Sequence, residues 1–210
     1  ELSPFTKLDV VGPDALALLQ RLCCSDVDVA EGRAVYTQML NGHGGIEADV
    51  TVTRTGEAGF RIVSGVATRQ KDRAWIERHA IDWKLQASIF DATSAEAVLG
   101  VMGPQSRDLL QDLTDADLSN AAFPFSTSRL IDVDMANVRA TRMSFVGELG
   151  FELYVPAECA RTLLSAIIEA GRRFDLALCG HYALDGCRLE KGYRHWGHDI
   201  GPKDTPLEAG

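Results

Sequence analysis

Residues 41–53, Asn-Gly-His-Gly-Gly-Ile-Glu-Ala-Asp-Val-Thr-Val-Thr, place an acid, Asp49, on an apolar strand just after a glycine-rich turn. Strand side chains alternate faces, so Asp49, Thr51 and Thr53 share one side while Val50 and Val52 take the other. A carboxylate held beside hydroxyls can take up a proton or steady a developing cation. The same stripe also reads as a solvated strand face. A second acid, Glu152, follows a similar turn in Gly147-Glu148-Leu149-Gly150-Phe151-Glu152-Leu153, and it too reads as an exposed strand charge. His195, His198 and Asp199 lie in an aromatic, glycine-containing loop, but two histidines and one acid fall short of a metal-ligand set, and no metal is expected. The chain has no G-x-S-x-G elbow, no P-loop and no G-x-G-x-x-G after a strand, so serine-hydrolase, ATP and dinucleotide chemistry are not expected of it.

The elements that must carry these acids follow from periodicity and turn residues. Lys7 to Val11 reads as a strand, and Gly12-Pro13-Asp14 opens a helix whose apolar stripe is Leu16, Leu18, Leu19 and Leu22. Strands are expected over Ala34 to Leu40, Asp49 to Thr55, Gly59 to Val63 and Lys84 to Phe90, with a helix from about Thr68 to Ala80. A last helix runs from His181 to Lys191 and stops at Gly192, with Leu178, Tyr182 and Leu189 expected on its buried face.

These events repeat. At an offset of 91 residues Val10-Val11-Gly12-Pro13 falls on Val101-Met102-Gly103-Pro104, and Gly56-Glu57-Ala58-Gly59-Phe60 falls on Gly147-Glu148-Leu149-Gly150-Phe151. The expected fold is therefore α+β, in two pseudo-symmetric, duplicated halves of antiparallel sheet plus helices, residues 1–92 and 93–210, with a ligand held most easily in a cleft between them. In that register Asp49 meets Ala140 and Arg61 meets Glu152, so each half carries one private acid.

Composition narrows the function classes. The 210 residues hold 21 Lys plus Arg against 30 Asp plus Glu, a net charge of −9, with 46% hydrophobic residues. An acidic chain of this kind lacks the footprint of a nucleic-acid or anionic-membrane binder. No stretch is apolar for long enough to span a bilayer, and the amino terminus has no signal-peptide pattern. Five cysteines without a C-x-x-C pair suit a reducing compartment, cytoplasmic or, in a eukaryote, the mitochondrial matrix.

The strings Val35 to Asn41, Gly45 to Asp49 with Thr51, Gly147 to Leu153, Arg188 to Gly192, Gly197-His198-Asp199 and Thr205 to Gly210 resemble, end to end and in order, the folate-binding module of the aminomethyltransferase (glycine-cleavage T-protein) family. Within it, Ala122 to Thr127, Ser144 to Gly150 and Glu190 to Trp196 are most similar to the carboxy-terminal half of sarcosine and dimethylglycine dehydrogenases. The resemblance implies a tetrahydrofolate-binding enzyme module that captures a one-carbon unit, derived from a small N-methyl amine, as 5,10-methylenetetrahydrofolate. FAD would belong to an amino-terminal flavin domain of a longer chain, and a carboxy-terminal β-barrel would follow. By motif position Asp49 matches the catalytic carboxylate and Glu152 the acid that holds the pterin; Thr51, Tyr36, Met39, Phe145, Leu153 and Tyr154 are expected around the ring. The sequence departs from the family in two places: Leu184 stands where many members have an arginine for the folate tail, and Phe145 replaces a tyrosine. Arg188 is expected to pair with Asp185 or Glu190 on its own helix. A stand-alone aminomethyltransferase working with a lipoyl carrier, and a non-catalytic folate-binding paralogue, are the alternatives.

Overall fold

The computed structural model describes residues 1–210 and divides into two compact units. The first comprises Phe5–Thr93 with Arg194–Gly210, the second Glu1–Pro4 with Ser94–Tyr193. Each short terminal segment thus packs with the half more distant in sequence.

The first unit runs β1 (Thr6–Val11), α1 (Ala15–Leu22), β2 (Ala34–Leu40), β3 (Ile46–Gly56), β4 (Gly59–Ser64), a 3₁₀ turn leading into α2 (Arg69–Asp82), and β5 (Ser88–Asp91). Its antiparallel sheet has the order β2-β3-β4-β1-β5. The second unit runs β6 (Glu96–Met102), α3 (Ser106–Gln111), β7 (Ser128–Val133), β8 (Ala136–Thr141), β9 (Gly150–Pro156), α4 (Ala160–Gly171) and α5 (His181–Glu190), with sheet order β6-β9-β8-β7. The two orders match strand for strand, apart from the added β5. A short α6 (Pro206–Ala209) closes the chain.

Local sequence explains the shared plan. Gly12 and Gly103 both adopt positive φ, 142° and 114°, at the strand-to-helix turn, a conformation that side-chain-bearing residues avoid. A Cβ on Gly12 would also lie 2.4 Å from the Gln86 carbonyl. Each helix layer covers one face of its sheet. Leu8, Val10, Leu18, Leu19, Met39, Val50, Val52, Phe60, Ile62 and Ile76 fill the first core; Val101, Leu109, Leu110, Phe123, Val138, Phe151, Leu153 and Leu163 fill the second. Phe123 meets Phe151 edge to face at 5.7 Å between centroids, a favoured arrangement of the two ring quadrupoles.

Two expectations about elements are corrected. The strand expected from Lys84 begins only at Ser88, because Lys84 takes φ 55° and reverses the chain at the end of α2. The face of α5 is also turned over. Leu178, Tyr182 and Leu189 are exposed, at 78%, 97% and 55%, while Arg188 is buried. Arg188 can turn inward because its guanidinium is satisfied there: Nε donates to Asp185 Oδ1 at 2.7 Å and Nη1 to the Tyr193 carbonyl at 3.0 Å.

The strand ladders also revise the correspondence between halves. In the first unit Thr51 faces Val63 and Thr53 faces Arg61; in the second Arg139 faces Tyr154 and Thr141 faces Glu152. β4 and β9 keep the offset of 91, but β3 and β8 are then related by 88, so the β8–β9 connection is three residues longer than that of β3–β4, while the β7–β8 hairpin, counterpart of β2–β3, has a turn three residues shorter. The counterpart of Asp49 is Asn137, not Ala140. Arg61 and Glu152 remain counterparts.

Candidate functional site

Asn41 builds the turn before β3. Its side-chain oxygen accepts from the backbone N–H groups of His43 and Gly45, both at 3.0 Å, which folds 41–45 into a tight loop. β3 then pairs with β2 with one irregularity: Met39 faces Ala48 and Leu40 faces Ile46, leaving Glu47 as the extra residue of a bulge. Asp49 emerges two residues later, opposite Gln38 and diagonal to Tyr36, which faces Thr51. The Tyr36 hydroxyl donates to Asp49 Oδ2 at 3.3 Å.

Burial raises the Asp49 carboxyl above the ordinary aspartate range; its own backbone amide, the Tyr36 hydroxyl and the Lys71 ammonium oppose the shift, and the charge of Asp72 adds to it. Tyr36 is pushed up to about 12, first by burial and then by Asp49, and keeps its proton as a donor. Asp49 is a base of more than ordinary strength with a hydroxyl beside it.

Glu152 has a different history. In the first unit Asp9 and Arg61 face each other across β1 and β4 and form a two-pronged pair, Nε to Oδ1 at 2.5 Å and Nη2 to Oδ2 at 3.0 Å. The matching positions of the second unit are Gly100 and Glu152, which face each other across β6 and β9. The acid is present where the arginine was, and its neighbour has no side chain. Glu152 meets the Tyr154 hydroxyl at 2.7 Å, and it has no cation in reach. Burial raises its pKa, and the Tyr154 hydrogen bond only partly offsets this. The result is an acceptor suited to a ligand that brings paired N–H donors. The offset of 91 that places Gly100 on Asp9 is the sequence signal for it.

The sequence-derived residues separate by face. Asp49, Thr51 and Tyr36 lie together, as do Glu152 and Tyr154. Met39 does not join the first group: strand alternation turns it to the opposite face, where it is fully buried among Leu19, Ala48 and Val50. Leu153 likewise points into the second core, away from Glu152. Both are corrected from pterin-wall residues to core residues. Phe145 stacks on Tyr193 at 5.9 Å between centroids and 21° between planes. His195 and His198 stack on each other at 4.3 Å. Truncating Met39 to alanine should cost about 2–5 kcal/mol of stability, the usual range for emptying a buried site, and leave any ligand affinity of the folded protein unchanged. Urea unfolding alongside a ligand titration checks both halves of that expectation.

Comparison with known proteins then decides the family. The GCVT N-terminal domain model matches residues 1–210. The chain belongs to the GCVT N-terminal domain family. Among relatives of this aminomethyltransferase-family domain, 4-methylaminobutanoate oxidase (formaldehyde-forming) of Paenarthrobacter nicotinovorans is 46% identical over 210 residues, all of this chain and 25% of the oxidase. Mitochondrial sarcosine dehydrogenase of Mus musculus is 41% identical, over all of this chain and 24% of that enzyme. The crystal structure of the glycine cleavage system aminomethyltransferase T of Bartonella henselae superposes with a TM-score of 0.84 at 28% identity, covering 98% of this chain and 54% of the other. The chain thus spans about a quarter of the length of the curated relatives it matches. The mixed helix and antiparallel-sheet architecture is that of the aminomethyltransferase fold, and these relatives are enzymes by name. No helix of this GCVT domain is long and apolar enough to cross a membrane.

Proposed function

We propose that this GCVT domain binds tetrahydrofolate and captures on it a one-carbon unit from a small N-methyl amine, as part of a sarcosine or dimethylglycine dehydrogenase-like enzyme. The observation that carries the reading is Glu152, a partly buried acid whose cross-strand neighbour is a glycine where the other unit has an ion pair. A pterin ring presents an N–H beside an exocyclic amine, and two donors of that geometry satisfy a carboxylate without a cation. Tyr154 holds the carboxylate from one side, at 2.7 Å, and leaves its remaining lone pairs available.

Asp49 is assigned the chemistry. When bound, tetrahydrofolate supplies two amines that take the carbon of an iminium, giving the methylene product, the amine with one methyl group fewer and one proton. Asp49 accepts that proton, and its negative charge favours the cationic carbon before capture. Tyr36 steadies the carboxylate through the 3.3 Å hydrogen bond. Thr51 shares the strand face of Asp49, and Phe145 offers an aromatic surface in the unit that carries Glu152. The amine would be oxidised by a flavin domain carrying FAD elsewhere in a longer chain, as the resemblance to sarcosine and dimethylglycine dehydrogenases implies.

The name of the Paenarthrobacter relative specifies formaldehyde as product, which favours a second reading in which the carbon leaves unbound. One experiment separates the two. The full-length protein is titrated anaerobically with tetrahydrofolate by calorimetry, and the carbon released from an isotopically labelled N-methyl amine is then traced. Saturable binding with label in methylenetetrahydrofolate is the expected result; no binding, with all label in formaldehyde, would overturn the proposal.

A further inference from the structure

The bulge that precedes Asp49 is gripped from two sides. The Ile46 carbonyl accepts from Trp196 Nε1 at 2.8 Å, and the Glu47 carbonyl accepts from the Lys71 ammonium. The two gripping groups touch each other: Lys71 Nζ lies 3.9 Å from the centre of the Trp196 ring, within range of a cation–π contact. The same ammonium lies 3.5 Å from Glu47 Oε2 and 3.7 Å from Oδ1 of the buried Asp72. Asp72 is itself fixed by the Thr68 hydroxyl at 2.6 Å, so Lys71 has a rigid anchor on its own helix. Around Ile46 and Glu47 the segment after residue 193 adds further ties. Ile46 N–H donates to the Asp204 carbonyl at 2.9 Å, and Asn41 Nδ2 donates to the Pro202 carbonyl at 3.0 Å. Gly45 passes so close that a Cβ there would lie 2.0 Å from the Pro202 oxygen.

A bulged strand twists more than a regular one, and its extra residue lies outside the ladder. Left alone, the bulge at Glu47 would let the following residues rock, and Asp49 with them. We propose that Lys71 and Trp196 are positioning residues for Asp49, which hold the bulged backbone of Ile46 and Glu47 and so fix the direction in which the Asp49 carboxylate points. The inference rests on the assignment of carbon capture to Asp49. Neither residue touches the reacting atoms; both act through two peptide groups of the strand. Lys71 supplies a charge-assisted bond, and Trp196 supplies a directional N–H together with a face for the ammonium.

The test uses the full-length protein with three substitutions: Trp196→Phe, which keeps a ring and loses the N–H, Lys71→Met, which loses the charge, and Lys71→Arg, which retains it. Amide hydrogen exchange is read first, because it needs no activity. Trp196→Phe should speed exchange at Ala48 and Asp49 by roughly tenfold or more while β4 stays as protected as before. Unchanged exchange at those amides in both Trp196→Phe and Lys71→Met would overturn the inference. Formation of methylenetetrahydrofolate from formaldehyde and tetrahydrofolate is read next. Lys71→Met should lose roughly 10- to 100-fold in rate, the scale of a misaimed catalytic group, with the tetrahydrofolate Kd within about twofold of the parent and Lys71→Arg recovering most of the rate. A matching loss of affinity, or no rescue by arginine, would show general damage and sink the idea. An Asp49→Asn control with full activity would remove the parent reading, while the exchange data would still report whether the grip on the bulge exists.

Discussion

Glu152→Ala is expected to weaken tetrahydrofolate binding by about 1–3 kcal/mol, roughly 5- to 150-fold in Kd, the cost of leaving paired donors without their acceptor. The pH dependence gives a sharper check. Burial raises the Glu152 pKa in the free protein, so near and below that value the carboxyl carries a proton that ligand N–H donors must displace. Affinity should therefore be full above the raised pKa and fall as the pH drops through it, by about tenfold per unit. Binding in that range should release a proton, which calorimetry in buffers of different ionisation enthalpy detects directly. Glu152→Gln should bind weakly at every pH and release none. A wild-type affinity that is flat through the acidic range would rule out a carboxylate-to-pterin contact at this position.

Asp49→Asn should leave tetrahydrofolate affinity within about threefold of the parent and lower carbon capture by roughly 10²- to 10⁴-fold, the usual contribution of a positioned acid or base. Burial, the largest influence on Asp49, raises its pKa, so activity should be lost as pH falls through a value above the ordinary aspartate figure of about 3.9. Tyr36→Phe removes a hydrogen bond that opposes the shift, and the acid limb should move further up. Stability should move the other way. An acid whose pKa is higher folded than unfolded destabilises the fold above that folded pKa, and the effect vanishes below the unfolded pKa. Asp49→Asn should thus raise the melting temperature at pH 8 relative to pH 4. Equal losses of binding for the Asp49 and Glu152 substitutions would end the division of labour between them.

Much of this was legible in the residues. β2 matches its expected limits, Ala34 to Leu40, because alternation and glycine-rich boundaries coincide there. The strand-to-helix turns at Gly12 and Gly103 announced the duplication, since both need a backbone conformation that glycine permits. What failed were cases where a one-dimensional pattern stood in for packing. Leu153 sits next to Glu152 in sequence and Met39 three residues beyond Tyr36, and the two-residue period of a strand sends each to the opposite face from its candidate neighbour. The apolar stripe of α5 looked like a core face, yet Arg188 found both an acid and a carbonyl inside and took that side instead. The Glu47 bulge had no signature at all: it depends on Lys71 and Trp196, which are distant in sequence.

The shorter second hairpin limits what the duplicated unit could become. Asp134 and Met135 alone connect β7 to β8, since Val133 already faces Ala136. Asn137 consequently sits one position beyond the reversal and is exposed, whereas Asp49 lies well inside an eleven-residue strand. An acid installed at Asn137 would be hydrated, titrate like any surface aspartate and have no bulge to aim it. Loop length, rather than the choice of side chain, is what makes the two halves non-interchangeable, and a designer seeking a second reactive carboxylate would have to lengthen the hairpin before changing the residue.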